Sequence, residues 1–247
     1  MSKENIKNKE NKKDAPVSNK TKKVVLITVI LTIIVSIILT FIILTTRKIL
    51  IISKLKNLAE DYTEINNIHA KIYNYSWHLT TDEIFIKDDK ILKIHNIHTD
   101  NSSTEMILYK DADSTNIYID NGEEKIAKLD TNENVEFEIL NYFANENMSD
   151  FLMLSIFSDI TEEYCNGKEC YKITNLPQFL DLKSNDETVY IEKDSGLIVR
   201  IIKDNNPDSN INIDYITDFF YEFDTVTDNE IAKPDIERYE VQNNIDK

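Results

Sequence analysis

The longest feature in the hydrophobic pattern is Val24 to Leu44, 21 positions that carry no charge and are almost all apolar. A helix of that length measures about 30 Å, the thickness of a bilayer's hydrocarbon core, so the run predicts a transmembrane helix over 24–44. Beyond it Ile51, Leu55, Leu58, Tyr62 and Ile65 recur at steps of four and three. That spacing predicts a membrane-proximal helix over 45–69 whose apolar face packs on the domain that follows. From Ala70 the period becomes two. Alternating runs at 71–79, 84–86, 91–95, 106–109 and 117–126 predict five or six short strands. Asn121-Gly122 divides the last run and predicts a hairpin with a type I′ turn.

The helical period returns in the middle of the chain, first at Phe137, Leu140, Phe143 and Ala144, then from Phe151 to Phe157 with Asp150 as N-cap. Strands resume at 160–165, 170–174, 188–192, 197–203 and 211–223, and Asp194-Ser195-Gly196 predicts a tight turn between two of them. Thr227 and Glu230 have capping-box spacing and predict a brief helix ended before Pro234. The predicted class is α+β: an N-terminal transmembrane helix, then a curved antiparallel β half-barrel covered by short helices. The predicted organisation is a disordered cytoplasmic tail over 1–23, the span at 24–44, the membrane-proximal helix at 45–69, the half-barrel domain at 70–226 and a C-terminal tail at 227–247.

Charge orients this plan. Residues 1–23 hold eight Lys against three acidic groups, and the far flank carries Arg47, Lys48, Lys54 and Lys56. The excess on the first flank predicts a cytoplasmic N-terminus and an extracytoplasmic C-terminal domain at the cell membrane. The apolar run is longer than a signal-peptide core, and neither a small-residue cleavage pattern nor a Cys follows it, so a single-pass signal anchor is expected and a lipoprotein is not. Residues 45–247 keep 20 of the 28 basic and 41 of the 44 acidic groups, a net of −21. Such a surface repels phosphate backbones, and no nucleic-acid partner is expected. Only three Gly stand among abundant Asn, Ile and Lys, the composition of an AT-rich bacterial genome.

Candidate chemistry is sparse. Cys165 and Cys170 flank Asn-Gly-Lys-Glu between two strands. A four-residue loop sets them opposite each other at disulfide distance, and a disulfide is expected; a two-residue Asn-Gly turn would instead oppose Cys165 to Lys168. His95 and His98 are three apart on a strand, so their rings diverge and no metal pair is expected. Asp204 to Asn210 alternates oxygen side chains, but Ser209 stands where a calcium loop needs Gly and Tyr215 where it needs Glu. No hydrolase, zincin or phosphate-loop motif occurs, so neither an enzyme nor a cofactor is expected. The aromatic residues carry more. Trp77, Tyr109, Tyr118, Tyr190, Phe219 and Tyr221 on strands, with Phe143 and Phe157 on the helical runs, are the candidate lining of an apolar cavity between sheet and helices.

The run Tyr164 to Ile173, the run Thr188 to Arg200 turning back through Gly196, and the aromatic strand ending at Phe223-Asp224 resemble the extracytoplasmic lipoprotein-carrier (LolA-like) superfamily. The resemblance spans about residues 60–225. It implies an unclosed β-barrel with helices as a lid over an apolar cavity, and it carries no catalytic residues. The expected function is a membrane-anchored binding protein, non-enzymatic, that holds a lipid, a lipoprotein or an envelope protein partner. The alternative is a structural or assembly component of the envelope, in division or sporulation, acting through protein contacts.

Overall fold

Two hydrophobic periods build the whole chain, and a computed structural model shows where each one is buried. It describes residues 19–75, 79–99, 102–111, 114–131, 148–174, 187–203 and 215–242. The chain divides into two compact units, 1–46 and 47–247.

Helix α1 (Asn19–Thr63) contains the apolar run. It is the one described helix long and apolar enough to cross a membrane. Between Val24 and Leu44 its large apolar side chains are exposed. The hydroxyls of Thr28, Thr32, Ser36 and Thr40 each donate to the carbonyl four residues back at 2.9–3.0 Å. The helix thereby satisfies its own polar side chains, as a lipid environment requires.

In the second unit a meander of six strands comes first: β1 (Asn67–Tyr75), β2 (Leu79–Lys87), β3 (Lys90–His98), β4 (Ser103–Asp111), β5 (Ser114–Asp120) and β6 (Lys125–Thr131). Helix α2 (Met148–Phe157) precedes a second meander of β7 (Asp159–Cys165), β8 (Lys168–Thr174), β9 (Glu187–Glu192), β10 (Ile198–Lys203) and β11 (Tyr215–Phe223). Strand β11 returns to pair antiparallel with β1, Ile68 opposite Phe223 and Tyr75 opposite Ile216. One large, open, curved sheet results, in the order β12-β6-β5-β4-β3-β2-β1-β11-β10-β9-β8-β7. Its edge strand β12 (Glu240–Gln242) is the parallel member, lying on β6. This is the α+β half-barrel the pattern predicts.

Alternation gives each strand two faces, and they are buried by different parts of the chain. On the first, here called the helix face, Ile68, Ala70, Ile72, Ile84, Ile173, Val189, Ile191, Ile198 and Phe219 pack with Ile52 and Leu55 of α1 and Leu154 of α2. Gly196 in the β9–β10 turn makes this approach possible. A Cβ there would collide with the Leu55 carbonyl and come within 2.9 Å of the Ala59 nitrogen, and its φ is +72°. On the opposite face Phe85, Leu92, Tyr109, Tyr118 and Ala127 are covered by Val226 and Ile231 of the C-terminal segment, with Tyr239 packed against them.

Four local expectations need correction. Cys165 and Cys170 are free and buried. Cys165 faces Lys168 across a two-residue Asn166-Gly167 turn, while Cys170 faces Glu163, so the thiols sit diagonally and no disulfide forms. The type I′ geometry belongs to this turn, with Asn166 at φ +51° and Gly167 at +78°. The Asn121-Gly122 hairpin has a four-residue loop instead, with Asp120 opposite Lys125. Helix α2 begins at Met148, which puts Asp150 in its first turn and not at the cap. The capping-box pair does form, the Thr227 amide and hydroxyl each donating to Glu230 at 2.8 Å, but it closes a single turn. The helical run Phe137–Ala144, the calcium-like segment 204–210 and the tail over 1–18 lie outside the described residues.

Candidate functional site

The helix face has two halves that differ. Across β1, β2 and β8–β11 it is occupied by the chain's own helices, with Ile52, Leu55, Ile173, Val189 and Ile191 at 0% exposure. The Tyr221 hydroxyl lies in this half, buried and without a hydrogen-bond partner among the described residues. Burial pushes its phenol pKa far up.

The other half runs across β3–β6. Register sets Asp82, His95, Met106, Ile119 and Ile126 in one row across the sheet. Ile84, Lys93, Leu108 and Ile117 form the next row. Met106, Leu108, Ile119 and Ile126 are half-buried and stand outside the helix-packed core. Polar groups mark the β2–β3 end. His95 Nδ1 pairs with Asp82 Oδ1 at 2.5 Å, and Lys93 Nζ lies 3.4 Å from Asp82 Oδ2. The surface carries charge at β2–β3 and aliphatic side chains across β4 and β5, and on β6 Ile126 is joined by Lys128, which stands opposite Ile117. Among the described residues no group of three or more His, Cys, Asp or Glu is placed to hold a metal ion.

The aromatic residues singled out from the sequence do not gather on this surface. Tyr109 and Tyr118 are buried on the opposite face. Tyr190 alternates with Val189 and Ile191, and packs with Cys165, Cys170 and Val199 in a third cluster. Phe219 and Tyr221 stack at 6.5 Å within the half that the helices fill. Phe157 ends α2 and is 55% exposed. Trp77 and Phe143 lie outside the described residues. The sequence reading missed Met106, Leu108, Ile119 and Ile126 because aliphatic residues at strand spacing look the same whether a helix or a ligand covers them. The signal for the pairing of His95 with Asp82 is the β2–β3 register, which the sequence does not print.

The remaining polar structure holds strands together. Arg200 grips Asp218 through Nε and Nη2, the latter at 2.8 Å, and Asn166 bridges the same two residues at 3.0 Å. On the opposite face His69 stacks on Phe85 and contacts Glu83 at 2.8 Å, and Lys71 reaches Glu83 at 3.0 Å. Burial acts to raise the Glu83 carboxyl, but hydrogen bonds from Lys71 and His69 outweigh it and hold the pKa below its ordinary value. At the free edge of the sheet, Glu162, Glu163, Tyr164, Glu169 and Lys193 border a shallow depression of about 230 Å³.

Fold and site together define an α+β protein with an N-terminal apolar helix and an open half-barrel. No protein-family description matches the chain, and no curated protein does. Among solved structures it is similar to LprF from Mycobacterium bovis, at 10% identity over 71% of this chain and 94% of that one, with a TM-score of 0.40. It is also similar to a LolA superfamily protein from Nitrosomonas europaea, at 8% identity over 72% of this chain and 96% of that one, with a TM-score of 0.26. The likeness is a loose one of fold, LolA-like in kind.

Proposed function

We propose that this chain is a membrane-anchored extracytoplasmic binding protein, non-enzymatic, whose half-barrel holds a lipid or the acyl part of a lipoprotein. The carrying observation is the half-buried aliphatic patch of Met106, Leu108, Ile119 and Ile126 beside the Asp82, His95 and Lys93 group. An acyl chain would lie along Met106, Leu108, Ile119 and Ile126, with its polar end at Lys93 and His95. Ligand sites of this kind are mostly apolar with a few placed polar groups. The anchor reading rests on the uncharged run Val24–Leu44, and the orientation on the lysine excess before it.

The test is extraction of the purified full chain and mass spectrometry of co-purified lipids, for wild type and for Leu108→Asp. Wild type is expected to carry acyl lipid near stoichiometry, and the variant to lose it while keeping its unfolding transition. Equal lipid in both, or none in wild type, would refute the proposal. A second reading, an envelope assembly component, draws on the open edge at β7 with its exposed Tyr164. In-cell crosslinking from position 164 to one stoichiometric protein partner would favour it over the lipid reading.

A further inference from the structure

Helix α2 is apolar on both sides. Leu154, Ser155 and Ser158 on one side are at most 2% exposed and face the domain. Leu152, Met153, Ile156 and Phe157 fall on the opposite side, at steps of one and four, and are 44%, 39%, 37% and 55% exposed. Its one charged residue is Asp150. A helix hydrophobic all round belongs in a core or in lipid, and this one is only half in a core.

Its position names the cover. Lys48 Nζ donates to the Ser158 carbonyl at 2.6 Å, fastening the end of α2 to the chain just past the apolar run. Arg47 lies 3.7 Å from Glu162, in the middle of β7, the strand that follows. Lys48 is four residues beyond Leu44 in the sequence, so even fully extended chain keeps it within about 14 Å of the end of the apolar run. Arg47, Lys48, Lys54 and Lys56 supply local positive charge, which anionic headgroups attract, in a domain otherwise strongly acidic.

We propose that α2 is a second membrane contact: Leu152, Met153, Ile156 and Phe157 enter the interfacial region of the bilayer in which Val24–Leu44 is anchored. This rests on the anchored reading of that run. Such a contact would hold the half-barrel against the lipid from which a ligand is drawn, in the manner of an interfacial helix.

The experiment uses the full chain in nanodiscs of phosphatidylcholine and phosphatidylglycerol, with or without brominated acyl chains. A Trp77→Phe background removes the native indole, and Phe157→Trp, Phe41→Trp and Tyr164→Trp are compared in it. Blue-shifted emission and quenching by brominated lipid are expected at positions 157 and 41, and water-like unquenched emission at 164. Quenching at 41 with water-like emission at 157 would overturn the inference and leave the anchor standing. Blue-shifted but unquenched emission at 157 would place a protein on this face and also overturn it. No quenching at 41 would overturn the anchor and this inference together. If the Trp77→Phe background folds poorly, Phe157→Cys with a nitroxide label replaces it, since both native thiols are buried. Greater collision with oxygen than with a nickel chelate supports the contact, and the reverse overturns it.

Discussion

The tightest residue-level arrangement is Arg200 with Asp218, directly opposite each other on β10 and β11. Asp218 is 4% exposed, so its charge depends on the guanidinium and on the Asn166 amide. Removing one partner of a buried pair strands the other charge at a cost of several kcal/mol. Arg200→Ala, which strands the buried Asp218 carboxylate, is therefore expected to lower unfolding stability by about 3 kcal/mol, measured by urea denaturation. The thiols nearby are inert for a physical reason. Burial, with Cys165 as neighbour, pushes Cys170 up to about 11, and burial raises Cys165 as well. A thiol reagent at neutral pH should find no fast-reacting group in the native protein and two after denaturation; a disulfide-sized mass deficit would contradict this. Glu83 gives a pH signature. Its folded pKa is depressed, so its contribution is present above the ordinary carboxylate pKa and is lost as pH falls through the folded value. The stability gap between wild type and Glu83→Gln should be widest near neutrality and narrow as the pH falls below the ordinary carboxylate range toward the depressed folded value.

Among the elements, the joint between α1 and the β9–β10 turn is the most demanding. Gly196→Ala would need a left-handed backbone for Ala and would push against the backbone at Leu55 and Ala59. A loss of about 3 kcal/mol in thermal or urea unfolding is expected, from strain plus overpacking. Strands and helices were legible because period two and period 3.6 differ, and the α1 face through Leu55 and Tyr62 packs as its spacing predicts. The two Asn-Gly hairpins show where legibility stopped. At Asn121 the side chain accepts from the amides of Glu123 and Glu124, at 3.0 and 2.7 Å, and Asp120 accepts from Gly122, which together build a wider loop. At Asn166 the side chain is taken by Arg200 and Asp218, and the backbone turns in two residues. Identical dipeptides thus adopt different turns because of partners that are local in one and distant in the other. The disulfide expectation failed with that choice.

At the scale of the molecule, the decisive feature is that one sheet buries opposite faces in its two halves. Helices cover one face of β1, β2 and β8–β11, and the C-terminal segment covers the other face of β2–β6. Alternation reveals that a strand has two faces but not which element covers each, so the aromatic residues read as one cavity lining are divided among separate clusters. Among the described residues, the helix face of β3–β6 presents Met106, Leu108, Ile119 and Ile126 half-buried and outside the helix-packed core. The direct test is crosslinking of a photoreactive acyl lipid to the full chain in membranes, with labelled peptides mapped by mass spectrometry. Label is expected on the stretches containing Met106–Leu108 and Ile117–Ile119. Label confined to Val24–Leu44, with none on β4 or β5, would contradict the account.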